Sequence, residues 1–185
     1  MSLSFKEGYV VNLMPFSPDH GAKLFEWYYD VAYKLFFREF AVVFSLEDCQ
    51  KLDVIMARSG STLLTIVDRE SNQPIGLMTY CCLKRPSGVF RVGILLDKKC
   101  QHKTYAIEAL IILGDRLYYH LGCRKLVVEY MAEDTHIRRI SEKGGFVFES
   151  VLKQEALVDG ELKDEVKYYM TKEVYDDLYG NYFSK

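Results

Sequence analysis

Residues 92–109 read V-G-I-L-L-D-K-K-C-Q-H-K-T-Y-A-I-E-A. An apolar run from Val92 to Leu96 is stopped by Asp97. A basic loop follows, and then a pattern in which Ala106, Ala109, Leu110, Leu113, Leu117 and Leu121 recur at three- and four-residue steps. That spacing predicts a helix from about Thr104 to Leu121, closed by Gly122 as the residue after its C-cap. A strand that turns tightly into a helix start offers several unpaired backbone N–H groups and the positive end of the helix dipole, an arrangement suited to a pyrophosphate. Lys98, Lys99 and Lys103 add positive charge, although any solvated loop between a strand and a helix carries lysines too.

Upstream of this stretch, Tyr9 to Met14 reads as a strand. Helices are predicted from about Pro18 to Ala32 and from about Ser45 to Arg58, the second opened by Ser45 as N-cap with Asp48 three residues on. Strands at Leu63 to Val67, Ile75 to Leu83 and Val89 to Leu96, separated by turns at Glu70 to Pro74 and Pro86 to Gly88, make a meander. Downstream come a strand from Leu126 to Met131, a helix from Thr135 to Lys143 ended by Gly144-Gly145, and strands from Phe146 to Leu157 and Leu162 to Thr171 around the hairpin signal Asp159-Gly160. The tail from Lys172 reads as a short helix or an extension. The order predicts one α/β (α+β) domain over residues 1–185 with a mixed, mostly antiparallel central sheet flanked by helices. The helix between the strands at 89–96 and 126–131 makes a crossover, so those two strands should be parallel.

Composition narrows the partners. With 24 basic against 26 acidic residues and a net charge of -2, the chain lacks the basic surface that phosphate backbones require, so nucleic acid is not expected. No apolar stretch reaches the ~20 residues that span a bilayer, so no membrane insertion is expected. Five cysteines, an odd number, and the absence of a secretory pattern at Met1 to Phe16 point to a reducing cytoplasm. His120 and Cys123 form the only close Cys/His pair and no second pair completes a coordination shell, so no metal is expected.

The stretch V-G-I-L-L-D-x-x-x-Q-x-K-x-Y-A-x-E-A resembles the acetyl-CoA motif of GNAT acetyltransferases, in particular the ribosomal-protein N-terminal and spermidine acetyltransferase branch. Glu142-Lys143-Gly144-Gly145-Phe146 resembles the family's E-K-x-G-F closure of its last helix. Phe148 to Gln154, Asp159-Gly160-Glu161 and Asp164 resemble the branch's closing hairpin. These motifs cover roughly Gln73 to Tyr169 in the family's order. The resemblance implies that the main chain of Ile94, Leu95 and Leu96 pairs with the pantetheine arm of acetyl-CoA, and that Gln101, His102, Lys103, Thr104, Tyr105 and Ala106 wrap the pyrophosphate. It also implies that the parallel strands splay apart and leave the thioester between them. His102 and Thr104 stand where the family has glycine, whose missing Cβ lets the backbone approach phosphate closely. Asp134 stands at a cofactor position that is commonly asparagine, and it also suits the N-cap of the helix beginning at Thr135.

Acetyl transfer to an amine needs a base for the amine proton and a donor for the departing sulfur. Spermidine-type relatives have a tyrosine at the position of Ser141, and ribosomal-type relatives a serine at that of Ile137. Ser141 retains a hydroxyl and is the candidate donor. Glu155 matches an acidic position of the spermidine-type pattern and is the candidate base, with Glu149 and Glu129 as rivals. The segment Phe25 to Phe40 falls where the family builds its acceptor pocket, and there Glu26, Asp30 and Glu39 are positioned to receive a cationic amine. The acceptor is expected to be a small-molecule amine or a protein N-terminus, and a homodimer is left open. The alternative is a non-catalytic GNAT-fold module that keeps affinity for CoA.

Overall fold

The computed structural model describes residues 5–30, 45–101 and 104–184. Its strands are β1 (Val11–Pro15), β2 (Ser61–Asp68), β3 (Pro74–Lys84), β4 (Val89–Leu96), β5 (Lys125–Met131), β6 (Val147–Val158) and β7 (Glu161–Thr171). Its α-helices are α1 (Gly21–Tyr29), α2 (Leu46–Gln50), α3 (Leu52–Arg58), α4 (Tyr105–His120), α5 (Thr135–Lys143) and α6 (Lys172–Tyr179). The seven strands form one sheet in the order β1-β2-β3-β4-β5-β7-β6. β4 and β5 are parallel, with Val89, Phe90 and Arg91 opposite Lys125, Leu126 and Val127. β1 with β2, β2 with β3, β5 with β7 and β6 with β7 are antiparallel. The mixed, mostly antiparallel sheet flanked by helices is thus the one the sequence predicts.

The chain divides into two compact units, residues 1–81 with 93–113, and residues 82–92 with 114–185. In the first, Leu24 and Trp27 of α1 are spaced by one helical turn and join Phe16, Cys49, Leu52, Met56, Leu63, Leu77 and Leu95 in the core. Ser45 forms the predicted capping box: its Oγ accepts the Asp48 N–H at 3.1 Å, and Asp48 Oδ2 accepts the Ser45 N–H at 2.8 Å. The single helix expected from Ser45 to Arg58 is instead two, because Lys51 leaves helical geometry at φ -113° and ψ 15°. The carboxylate of Glu108, 2% exposed, accepts the N–H groups of Tyr9, Val10 and Val11 at 2.7 Å each. The start of β1 is thereby fastened to the first turn of α4.

In the second unit, Leu117, Tyr118, Leu126, Val127, Phe146, Tyr168, Met170 and Tyr175 are buried. Tyr118 donates to the Met170 carbonyl at 2.7 Å. A Cβ on Gly114 would lie 2.6 Å from the Tyr175 ring, so α4 and α6 approach here only because residue 114 has no side chain. Asp159 and Gly160 both adopt positive φ, 52° and 84°, as a two-residue hairpin of the predicted kind requires. The tail forms α6, capped by Thr171.

Candidate functional site

The junction of β4 with α4 is built by short-range capping. Asp97 Oδ1 accepts the Lys99 N–H at 3.0 Å, and the Asp97 carbonyl accepts the Cys100 N–H at 2.7 Å, which winds residues 98–100 into a single 3-10 turn. Gln101 Nε2 reaches back to the Leu96 carbonyl at 3.3 Å, tying the loop to the strand end. Among the described residues the first α4 hydrogen bond runs from the Glu108 N–H to the Thr104 carbonyl at 3.0 Å. His102 and Lys103 lie outside the described residues.

Side chains around this junction have already found partners. Leu95 and Leu96 are buried, 4% and 8% exposed, and Leu95 belongs to the core, so what these residues offer a ligand is backbone. Tyr105 is buried, with its hydroxyl donated to Asp68 Oδ2 at 2.6 Å. Ile94 and Ala106 are half-buried, and Thr104 is exposed. Lys98 is engaged by Asp30 at 2.7 Å. Lys99 makes no ion pair among the described residues, so it is the lysine available to an anion.

Asp97 also accepts the Trp27 indole N–H at 3.1 Å and lies 3.3 Å from Lys23. Burial works to raise its pKa, but the Lys99 amide, the Trp27 indole and Lys23 together hold the carboxyl below its usual range. This carboxylate joins α1 to the loop. Of the residues expected to receive a cationic amine, Glu26 is paired with Lys23 at 2.8 Å and Asp30 with Lys98, while Glu39 and the aromatics beyond Asp30 lie outside the described residues. Trp27 is core rather than pocket lining.

In the second unit, Asp134 caps α5: its Oδ1 accepts the Ile137 N–H at 2.9 Å and its carbonyl accepts the Arg138 N–H at 3.1 Å. Ser141 is buried on α5 at 8% exposure. Glu129 lies 3.6 Å from Arg91 and 3.7 Å from Lys167, and Glu149 is paired with Lys125. Both rival bases therefore sit in a ladder of cations across β4, β5, β6 and β7. Glu155 differs. It is exposed in the β6 bulge, where register slips between Leu152 and Ala156 and Gln154 takes φ 53°. Asp164 shapes that bulge by accepting the Gln154 N–H at 3.0 Å and Lys153 Nζ at 2.7 Å. Glu155 has no ion-pair or hydrogen-bond partner among the described residues.

Two residues with chemical character escaped sequence reading. Glu108 fell within an apolar helix pattern and read as a motif position, yet an acid one helical turn from Tyr105 and Ile112 is itself a sign of burial. Tyr130 stands near the end of the strand predicted from Leu126 to Met131, where the sequence assigned it no role. It is 6% exposed, and its hydroxyl has no hydrogen-bond partner among the described residues.

The acetyltransferase (GNAT) domain model matches residues 11–147. The chain belongs to the GNAT acetyltransferase family. Comparison with curated protein sequences gives no match. Among solved structures, a GCN5-related N-acetyltransferase from Brucella melitensis is similar with a TM-score of 0.79 at 21% identity, covering 100% of this chain and 86% of that one. The acetyltransferase (GNAT family) from Bacillus anthracis gives 0.76 at 18% identity, covering 92% and 99%. A chimera of the spermidine N-acetyltransferase SpeG from Vibrio cholerae and hSSAT gives 0.76 at 17%, covering 89% and 97%. At these identities the likeness is one of fold.

Proposed function

We propose that residues 1–185 act as one cytoplasmic N-acetyltransferase domain that moves an acetyl group from acetyl-CoA to a primary amine. The acceptor is a small-molecule amine or a protein N-terminus. The observation that carries the reading is the β4–α4 junction, where a family-matched strand ends in a capped turn and leads through a lysine-bearing loop into the start of a helix. These features fit a pyrophosphate. In this reading the main chain of Ile94 to Leu96 holds the pantetheine arm, and the amides of Gln101 to Ala106, with Lys99, hold the phosphates. His102 and Thr104 contribute side-chain donors where the family has glycine, and Lys103 adds positive charge. Asp134 orients the start of α5.

Acetyl-CoA supplies an activated acyl group when bound. Glu155 takes the amine proton, directly or through water, which an alkylammonium of pKa near ~10 must lose before it can attack. Ser141 donates a hydrogen bond toward the departing sulfur. Glu155 suits the base because its carboxylate is not neutralised by a neighbour, whereas Glu129 and Glu149 each face lysine or arginine.

A melting experiment with acetyl-CoA tests the cofactor assignment. A ligand at a hundredfold excess over Kd stabilises the native state by about 2.7 kcal/mol, which is roughly 5–10 °C for a chain of this size. No shift at millimolar acetyl-CoA removes the reading. Thiol release across a panel of amines then separates an active transferase from a module that only binds CoA.

A further inference from the structure

The first turn of α4 is held from two sides. Tyr105, the first residue of the helix and 7% exposed, donates its hydroxyl to Asp68 Oδ2 at 2.6 Å. One turn on, Glu108 accepts the Tyr9, Val10 and Val11 amides. The turn after β2 and the lead into β1 are joined in their own right: the Arg69 amide donates to the Val10 carbonyl at 3.0 Å, and Arg69 Nη1 donates to the Gly8 carbonyl at 2.7 Å. Turn, helix start and strand lead thus close a ring of polar contacts that lies wholly inside the first unit. Asp68 is itself fixed in that ring. Its Oδ1 accepts both the N–H and the Oγ of Ser71 at 2.8 Å, its carbonyl accepts the Asn72 N–H at 2.9 Å, and its amide donates to the Gln73 carbonyl at 3.0 Å. Packing alone does not call for the Tyr105 hydroxyl, because a phenylalanine ring would bury the same apolar surface. What the hydroxyl adds is direction, since a hydrogen bond to a carboxylate is short and roughly twice as strong as one between neutral groups.

We propose that Asp68 and the Tyr105 hydroxyl are a positioning pair for the phosphates of acetyl-CoA, with the turn after β2 setting where α4 begins. The proposal rests on the acetyltransferase reading above, in which the main chain of residues 101–106 receives the pyrophosphate. Neither side-chain group touches the ligand. Asp68 acts through Tyr105 on the backbone at the head of the helix, and Glu108 keeps the same turn from tilting away from β1. Several amides serve one anion only when they converge on it, so a binding constellation has to be held to within about 0.5 Å by contacts behind it. A displacement of about 1 Å costs on the order of 10²-fold. A carboxylate locked in a tight turn, 37 residues away in sequence, supplies such a fixed point, which a ring held by apolar packing alone does not.

Steady-state kinetics of the full-length chain with two acyl donors, acetyl-CoA and S-acetylpantetheine, test the pair, because the second donor carries the thioester without the pyrophosphate. Tyr105→Phe keeps the ring and removes only the hydroxyl. It should raise the KM for acetyl-CoA about tenfold with little effect on kcat, since the loss falls on holding the phosphates and not on the chemical step. With S-acetylpantetheine, Tyr105→Phe and wild type should share one kcat/KM. Asp68→Ala should weaken acetyl-CoA in the same way, and the double variant should lose no more than Asp68→Ala alone, as two halves of one contact require. An acetyl-CoA KM for Tyr105→Phe within about twofold of wild type, or an equal loss with both donors, overturns the proposal and leaves the acetyltransferase reading intact. Failure of the wild-type chain to bind acetyl-CoA at all overturns both.

Discussion

The Glu108 carboxylate accepts the Val11 N–H at 2.7 Å across 97 residues of sequence. Tyr9 and Val10 donate to the same group, so one buried acid satisfies three consecutive amides at the head of β1. Glutamine offers a single acceptor oxygen and would turn an NH₂ toward one or more of those amides. Glu108→Gln should therefore cost about 2–4 kcal/mol, a fall in melting temperature of roughly 5–15 °C. A thermal melt within a degree of wild type would show that the amides find water instead.

Asp97 gives a pH-dependent prediction. Its folded-state pKa is depressed, so the stability it contributes is present above the ordinary carboxyl pKa of about 3.9 and is lost as pH falls through the lower folded value. Asp97→Asn should melt below wild type at pH 7, and the gap should close as both proteins are taken below about pH 4. A gap independent of pH would mean that shape, not charge, matters at this position.

Gly114→Ala sets two effects against each other. Alanine is the better helix former by about 1 kcal/mol, but its Cβ would stand 2.6 Å from the buried Tyr175 ring. Crowding of this kind costs about 1–3 kcal/mol, so a net loss in chemical denaturation is expected. A gain would mean that α6 shifts freely.

For catalysis, Glu155→Gln should lower kcat/KM at neutral pH by about 10²- to 10⁴-fold while acetyl-CoA affinity stays nearly constant. Glu149→Gln, which disturbs only the ladder with Lys125 and Lys167, should leave turnover within a few fold. The reverse ranking, read from initial rates with one acceptor, would transfer the role of base to Glu149.

What the sequence disclosed and what it hid have a common physical origin. Periodicity, caps and turns are local, and they placed α4, α5, the Ser45 cap and the Asp159-Gly160 hairpin within a residue or two. The break at Lys51 was hidden because no proline or glycine marks it. A partner distant in sequence was hidden as well: nothing near Glu108 announces β1. Motif resemblance marked residues 101–106 as the candidate phosphate loop, and the structure adds that Lys98 is already engaged by Asp30 while Lys99 makes no ion pair among the described residues.

The division of the chain has a consequence for biosynthesis. The boundary between the two units is crossed at 81/82, 92/93 and 113/114, inside β3, β4 and α4 rather than at linkers. Every residue of the first unit has left the ribosome's catalytic centre once residue 113 is added, whereas the second waits for the whole C-terminal segment. A nascent chain long enough for residue 113 to clear the ribosome's exit tunnel can therefore complete the first unit's core, but it still carries β4 residues 89–92, whose parallel partner β5 has not yet emerged. Neither unit can be obtained by cutting the gene once.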